Sequence, residues 1–389
     1  MNAWQKTLAV ARRELKIIRY RPLYLLGSVG VVAFSAIFFL TFLSQGLPQE
    51  IPIGVVDEDN SSTSRSFYQQ LDATQIGKVI HYDTYAEARA DMISGRIAGL
   101  CLLPEGMNAD IQASKQPKIT FYVNGLYFVG GSFAWQDMLK MVNLTNGAVQ
   151  RQTLRARGYN DRQIMGMISP IQIDTHLIGN VHTNYCYYMS SIFIPGTLEM
   201  IVILVLIYAL GAELKFGTSR VLIRTSGNSI VLAIAGKLLV WTLIFSALGF
   251  IIIMLLYHWM HFPINGNIFN MFIAIYLLMF ASVGVGIFII ELLPVPRLAL
   301  SIGALFSVLA FSLSGFSMPV EGLSPYVQGL SAAFPLRHYY VFMVQEVVFG
   351  TGFAGWWKEA IHLLLFTLLP FAGLFRLKNA YLKQNFPKD

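Results

Sequence analysis

Charge is what this sequence has least of. Only 13% of its 389 residues are Asp, Glu, Lys or Arg, against about a quarter in an ordinary soluble domain. That shortage excludes a wholly water-facing globule and makes a lipid bilayer the expected solvent for much of the chain. Cysteine is nearly missing too, with Cys101 and Cys186 alone. One bond between them is geometrically possible, but two cysteines form no framework spacing, so free buried thiols are expected. No Gly-x-x-x-x-Gly-Lys-[Ser/Thr] phosphate loop occurs, so any ATP used must be bound by another polypeptide. No Gly-x-Ser-x-Gly is present, nor a Cys/His or paired-carboxylate constellation, so hydrolytic chemistry is not expected.

What the chain has instead is long apolar runs. A helix needs about 20 apolar residues to cross a bilayer, and six segments qualify: roughly 22–44, 187–211, 230–257, 268–293, 298–317 and 359–375. The first, "LYLLGSVGVVAFSAIFFLTFL", carries no charge and is too long for a signal-peptide core. The last contains Pro370. The fold class expected is therefore an α-helical polytopic membrane protein with six transmembrane helices.

The few charges are placed asymmetrically. Lys6, Arg12, Arg13, Lys16, Arg19 and Arg21 precede the first run. Lys215, Arg220 and Arg224 lie between the second and third, and Arg376, Lys378, Lys383 and Lys388 follow the sixth. The short connection "HWMHFPINGN" has neither Lys nor Arg. Cations accumulate on the cytoplasmic side, so both termini are expected there, in a bacterial inner membrane. Residues 45–185 hold eleven basic and thirteen acidic side chains and are expected outside, as an extracytoplasmic domain. The formal net charge of +7 thus serves topology and membrane lipids, and no nucleic acid is expected as a partner. The sequons at Asn60 and Asn143 would matter only in a eukaryotic secretory setting.

Residues 1–21 are expected to form a cytoplasmic amphipathic helix in the membrane interface. Trp4, Leu8, Ala11, Leu15 and Ile18 recur at helical spacing, with Arg12 and Arg13 among the cations beside them. The outer segment reads as α/β. "IPIGVVD", "IAGLCLLP" and "KITFYVN" are expected strands, "RSFYQQL" and the stretch after Thr84 are expected helices, and a long helix covers about 131–157. Asp57, Glu58 and Asp59 lack spaced His or Cys partners and read as a solvated turn. His258 and His261 read as an interfacial pair. No metal site is expected.

The stretch "GAELKFGTSRVLIRTSGN", residues 211–228, interrupts two apolar runs with Glu213, Lys215, Arg220 and Arg224, bent at Gly217-Thr218 and Gly227-Asn228. From physics alone it is either a docking element for a soluble partner or a linker whose charges only set orientation. "ELKFGTSRVLIRTSGNSIVLAIAGK" resembles the signature of permease subunits of ABC exporters with the type-2 membrane fold. Glu213, Gly217, Thr218, Leu222, Gly236 and Lys237 match; "TSGN" replaces the usual Pro-containing turn, and Phe216 stands where a charge is common. "GFSMPVEGLSPYVQGLSAAFPLRHYYVFMVQEVVFGTG" resembles the family's outward re-entrant segment, 318–355, with Pro319, Pro325 and Pro335 breaking short helices.

The resemblance implies domains at 1–21 (interfacial helix), 22–44 (first span) and 45–185 (outer domain). It continues with a five-span domain at 186–376 and a basic tail at 377–389. It further implies an ABC ATP-binding subunit carrying ATP and Mg, and a second permease copy or paralogue. ATPase coupling would fall to Glu213, Lys215, Gly217, Thr218, Arg220, Leu222, Arg224 and Lys237. The cargo would be amphipathic or hydrophobic, and the outer domain resembles those that work with a periplasmic adaptor and an outer-membrane channel. Glu199, one turn beyond Pro195, stands alone in apolar sequence. It either lines the cargo path or is a protonated helix–helix hydrogen bonder. Glu291 and Arg297 are expected to pair at headgroup level. The competing class is a non-transporting receptor or scaffold whose outer domain binds ligand.

Overall fold

The computed structural model describes residues 2–383 apart from 75–76, 114, 126 and 172–173. Lys388 and the tail beyond 383 lie outside the described residues. The chain divides into two compact units, Leu47–His176 and Met1–Gly46 together with Leu177–Asp389.

The smaller unit is built on a four-stranded sheet. Strands β1 (Ile51–Asp57), β2 (Gly77–Tyr82), β3 (Gly99–Leu103) and β4 (Thr120–Val123) lie in the order β2-β1-β3-β4. β1 pairs parallel with β2 and β3, and β3 pairs antiparallel with β4. Parallel neighbours need crossovers, which the helices Ser62–Asp72 and Tyr85–Ile93 supply. Strand alternation splits the apolar residues between two faces. Ile53, Val55, Cys101 and Leu103 pack with Phe67, Leu71, Met107, Ala134 and Met138, whereas Val56 and Leu100 pack with Ala88 and Ile97. β2 was not expected: as a half-exposed edge strand it carries no apolar run. The long helix spans Phe128–Ala156. Asp57 does form a turn, its Oδ1 accepting from the Asp59 and Asn60 amides and its Oδ2 from Ser64 Oγ. Thr84 caps its helix through the Glu87 amide.

Among its described residues the larger unit contains six helices long and apolar enough to cross a membrane: Pro22–Phe42, Tyr185–Lys215, Ile230–Trp259, Ile268–Leu292, Pro296–Leu313 and Phe353–Lys383. We call these the first to sixth spans. The second and fourth form the centre, with 78% and 72% of their most apolar windows buried, against 17% for the sixth. Their contact is close because the fourth span is locally small: a Cβ on Gly286 would sit 3.0 Å from the Ile203 carbonyl oxygen. The sixth span begins earlier than expected and is not one helix. The α-helix Phe353–Phe366 gives way to a 3-10 turn, Leu369–Ala372, and a final helix, Leu374–Lys383. Pro370 cannot donate the hydrogen bond an uninterrupted helix needs there.

Between the fifth and sixth spans the chain is broken into short pieces. Pro325 and Pro335 occupy the first turns of helices Pro325–Ser331 and Pro335–Met343, and Pro319 precedes the 3-10 turn Val320–Gly322. These prolines start elements as much as they end them, because a missing N–H costs nothing at a helix N-terminus.

Both cysteines are free and buried. Burial in the β-sheet core pushes the Cys101 thiol far above its ordinary range, with a smaller contribution from Asp57. A raised value keeps the neutral thiol, the unreactive form, throughout pH 7–9. Alkylation of native protein followed by mass spectrometry should leave Cys101 unmodified at pH 7 and at pH 9, and modify it fully after denaturation. Labelling of the native thiol that rises with pH would contradict this.

Candidate functional site

The N-terminal helix, Ala3–Tyr20, opens with a full capping box between Asn2 and Gln5. It ends at Arg21, after which Pro22 starts the first span. It does not use the single apolar face expected of it. Thr7, Val10, Ala11, Glu14 and Ile18 are buried and pack on the third span, while Trp4, Arg12 and Leu15 are exposed and Leu8 is half-buried. The approach is tight: a Cβ on Gly236 would lie 2.5 Å from Val10 Cβ. The expected apolar stripe is therefore shared between protein, which takes Ala11 and Ile18, and the surface, which keeps Trp4 and Leu15.

Glu14 is the residue that sequence reasoning missed. Fully buried, it accepts from Lys237 Nζ at 2.6 Å and from Trp241 Nε1 at 3.0 Å. Lys237, itself 2% exposed, also contacts Glu213 Oε1 at 2.9 Å and donates to the Ala209 carbonyl at 3.1 Å. Its three N–H donors are thus satisfied. Arg13 reaches Glu213 with both terminal nitrogens, 2.6 and 2.9 Å. Burial alone would lower the guanidinium; the Glu213 carboxylate reverses this and holds Arg13 above its ordinary value. Two carboxylates and two cations therefore neutralise one another inside an apolar bundle, which makes burying them tolerable.

Glu213 also fixes the loop that follows. Its carbonyl accepts from the Thr218 amide, and its Oε2 from Thr218 Oγ1 at 2.6 Å. With Gly217 N–H bonded to the Leu214 carbonyl, the second span ends in a Schellman motif, which needs a left-handed residue at Gly217, φ +65°. A seven-residue helix, Ser219–Thr225, follows and ends the same way at Gly227, φ +69°, where the Asn228 amide bonds to the Ile223 carbonyl. The expected bends at Gly217-Thr218 and Gly227-Asn228 are both present. Leu222 is buried; Lys215, Phe216, Gly217, Arg220, Val221 and Arg224 are exposed. Arg21 lies over the Phe216 ring at 4.1 Å. The final helix closes the assembly: Ser219 Oγ donates to the Tyr381 carbonyl, and the Tyr381 hydroxyl to the Leu210 carbonyl.

The expected coupling residues thus fall into two sets. Glu213, Leu222 and Lys237 are internal and can act only by holding shape, with Thr218 half-buried between. Lys215, Arg220 and Arg224 face outward and can be touched.

Two further carboxylates lie deep in the unit. Glu199 is 1% exposed, its Oε1 without a hydrogen-bond partner, one turn beyond Pro195, which the second span carries without breaking. Glu291 is fully buried and neither oxygen is hydrogen-bonded. The expected Glu291–Arg297 pair is not formed: the carboxylate turns inward against Gly373. His258 and His261 are both exposed.

A family model described as "ABC-2 family transporter protein" matches residues 23–376. The chain belongs to the ABC-2 transporter family. It is a permease of that type, with several helices able to cross a membrane. Inner membrane transport permease YhhJ of Escherichia coli (strain K12) is 24% identical over 332 residues, covering 83% of this chain and 82% of the relative. The protein of the same name from Shigella flexneri matches to the same extent. For this ABC-2 permease the family match, residues 23–376, takes in the first span, the sheet-containing unit and the spans that follow.

Removing one partner of a buried pair strands the other's charge, at about 3–5 kcal/mol, whereas replacing both with apolar groups is often near neutral. Lys237→Met should therefore lower the thermal unfolding midpoint of detergent-purified protein sharply. Glu14→Met combined with Lys237→Met should recover a large part of that loss. Equal midpoints for the single and double variants would contradict the pairing.

Proposed function

We propose that this chain is the membrane permease of an ATP-driven exporter in a bacterial inner membrane. It moves an amphipathic or hydrophobic compound outward with energy from a separate ATP-binding subunit. The observation that carries this reading is the neutral charge cluster. It joins the N-terminal helix, the second and third spans and the 216–229 loop into one mechanical piece, directly behind a surface of Lys215, Phe216, Arg220, Val221 and Arg224.

A short helix held at both ends by left-handed glycines presents a fixed shape, which suits insertion into a groove on a soluble partner. A push on that helix reaches the second span through Glu213 and the N-terminal helix through Arg13. The concentration of cations at this end supports a cytoplasmic location for the loop and both termini. The sheet-containing unit, with more acids than bases, then lies outside, where an adaptor and outer channel could engage it. A second permease copy or paralogue would cover the exposed faces of the peripheral spans. Coupling falls to Lys215, Arg220 and Arg224 by contact and to Glu213, Gly217, Thr218, Leu222 and Lys237 by geometry. ATP and Mg belong to the partner.

Glu199 is assigned to the cargo path or its gate, because a buried carboxylate oxygen left without a donor marks a functional position in a membrane bundle. Glu199→Gln is expected to fold normally and to reduce efflux of amphipathic dyes by about tenfold or more. Efflux at the wild-type rate would remove Glu199 from the path.

Affinity purification in mild detergent tests the main reading. Wild type should bring down an ATP-binding chain and its ATPase activity. Arg220→Glu with Arg224→Glu, both exposed, should weaken that association about tenfold, equivalent to about 1.4 kcal/mol. Well-folded wild type that retains no ATPase would overturn the exporter reading in favour of a ligand-binding receptor or scaffold.

A further inference from the structure

One group of donors lies outside all of the machinery above. His338, on helix Pro335–Met343, faces Glu359 and His362, which are one turn apart on helix Phe353–Phe366. The two helices pack together. Nδ1 of His338 is 2.6 Å from Glu359 Oε2, and Nδ1 of His362 is 3.9 Å from the same oxygen. The two imidazoles stack, with centroids 4.6 Å apart and planes 19° from parallel. Each of the three residues offers one ligand atom, and these lie within 4.8 Å of one another.

The hydrogen-bond roles make this arrangement specific. Nε2 of His338 lies 3.0 Å from the Ala332 carbonyl oxygen, which can only accept. The ring proton of neutral His338 is therefore on Nε2, and Nδ1 turns a lone pair towards a carboxylate lone pair at hydrogen-bond distance. Two acceptors this close need a cation between them. A proton would serve His338 and Glu359, but it leaves unexplained why the His362 ring stacks alongside with its Nδ1 towards the same oxygen.

A metal ion accounts for all three contacts. Metal-bound histidines commonly donate their second ring nitrogen to a backbone carbonyl, as His338 does to Ala332. Imidazole with carboxylate suits zinc-class divalent cations. Ligand bonds of about 2.0–2.2 Å in a tetrahedron put donor atoms about 3.4 Å apart, between the two distances seen here. His338 is buried, the Glu359 side chain is 19% exposed and that of His362 is 50% exposed. The site is thus walled by protein on one side and open on the other, which leaves a fourth coordination position unfilled by this chain.

We propose that His338 Nδ1, Glu359 Oε2 and His362 Nδ1 bind one zinc-class divalent cation, fastening the segment between the fifth and sixth spans to the first helix of the sixth. The sequence signal was Glu359-x-x-His362, with the third ligand 21 residues earlier. The assignment is independent of cargo and of ATP.

The test uses the full chain, purified in detergent, stripped with a chelator and titrated with Co²⁺. Wild type should bind one equivalent per chain with visible ligand-field bands that Zn²⁺ abolishes, and Zn²⁺ should raise its unfolding midpoint. His362→Ala and Glu359→Gln, which alter partly exposed residues, should each weaken Co²⁺ binding at least about 10–100-fold and lose the Zn²⁺ effect on unfolding. His258→Ala with His261→Ala should keep both. Folded wild type without saturable Co²⁺ binding overturns the site in favour of a proton shared by His338 and Glu359. Binding that survives both substitutions, or is lost in the His258/His261 variant, also overturns it.

Discussion

An ammonium group inside an apolar bundle dictates where everything near it must go. Lys237 sits two turns into the third span and is too enclosed to reach water along its own stem. Its charge is tolerable only if carboxylates come to it. Glu14 arrives from the N-terminal helix and Glu213 from the end of the second span. Arg13 is then required because two carboxylates on one ammonium would leave a net negative charge. Thr218 fills the last position on Glu213 and so commits the chain to the turn at Gly217. The orientation of the N-terminal helix, the ending of the second span and the start of the loop helix all follow from neutralising one lysine.

The buried glutamates of the larger unit differ in whether donors reach them. Glu14 and Glu213 are neutralised by cations. Glu346 is held by N–H donors: the Asn267 amide at 2.6 Å, Asn270 Nδ2 at 2.8 Å and Trp356 Nε1 at 3.0 Å. Such a group closes a loop and needs nothing further. Glu199 and Glu291, equally buried, keep oxygens without donors. Buried polar atoms are nearly always satisfied, so these two positions stand apart from the three whose oxygens are met by cations or N–H donors.

The spans were legible because a bilayer imposes a length on apolar runs, and the loop turns because Gly217 and Gly227 announce left-handed caps. Three of the four strands could be read from short apolar runs, β-branched in Ile51–Asp57 and leucine-rich in Gly99–Leu103. What could not be read was pairing across distance. Glu14 lies among Arg12, Arg13, Lys16 and Arg19, so its local sequence describes a cationic surface helix. Nothing nearby says that it faces Lys237, 223 residues away. For the same reason the protein-facing side of the N-terminal helix is not legible locally: Val10 turns inward onto Gly236, where a missing side chain makes room for it, and Gly236 belongs to another part of the chain. Glu291 and Arg297 failed in the opposite direction. Their nearness in sequence suggested a pair, but "LLPVP" ends the fourth span and the Glu291 side chain packs inward before Arg297 can reach it.

The same geometry bears on how motion could travel in the proposed exporter. The N-terminal helix packs on the third span, which is peripheral, and bonds through Arg13 to the second, which is central. A displacement at the loop is therefore delivered to one span at the surface of the bundle and one at its heart. If both moved as a rigid block, the connections at their other ends would have to yield. The helices contain places suited to that. Segments with π-type hydrogen bonding lie at Leu26–Gly30 where the first span begins, at Met254–Trp259 where the third ends, and at Val344–Val348 beyond the His338 helix. A π segment carries one residue more per turn than an α-helix and is often found at functional sites. The clamp around Lys237 is neutral, and two of these looser turns, Leu26–Gly30 and Met254–Trp259, lie next to or within elements that the clamp joins. The clamp around Lys237 is thus flanked by a looser turn next to the N-terminal helix, Leu26–Gly30, and the third span ends in another, Met254–Trp259, so a push from one face meets rigidity at the clamp and compliance on either side of it.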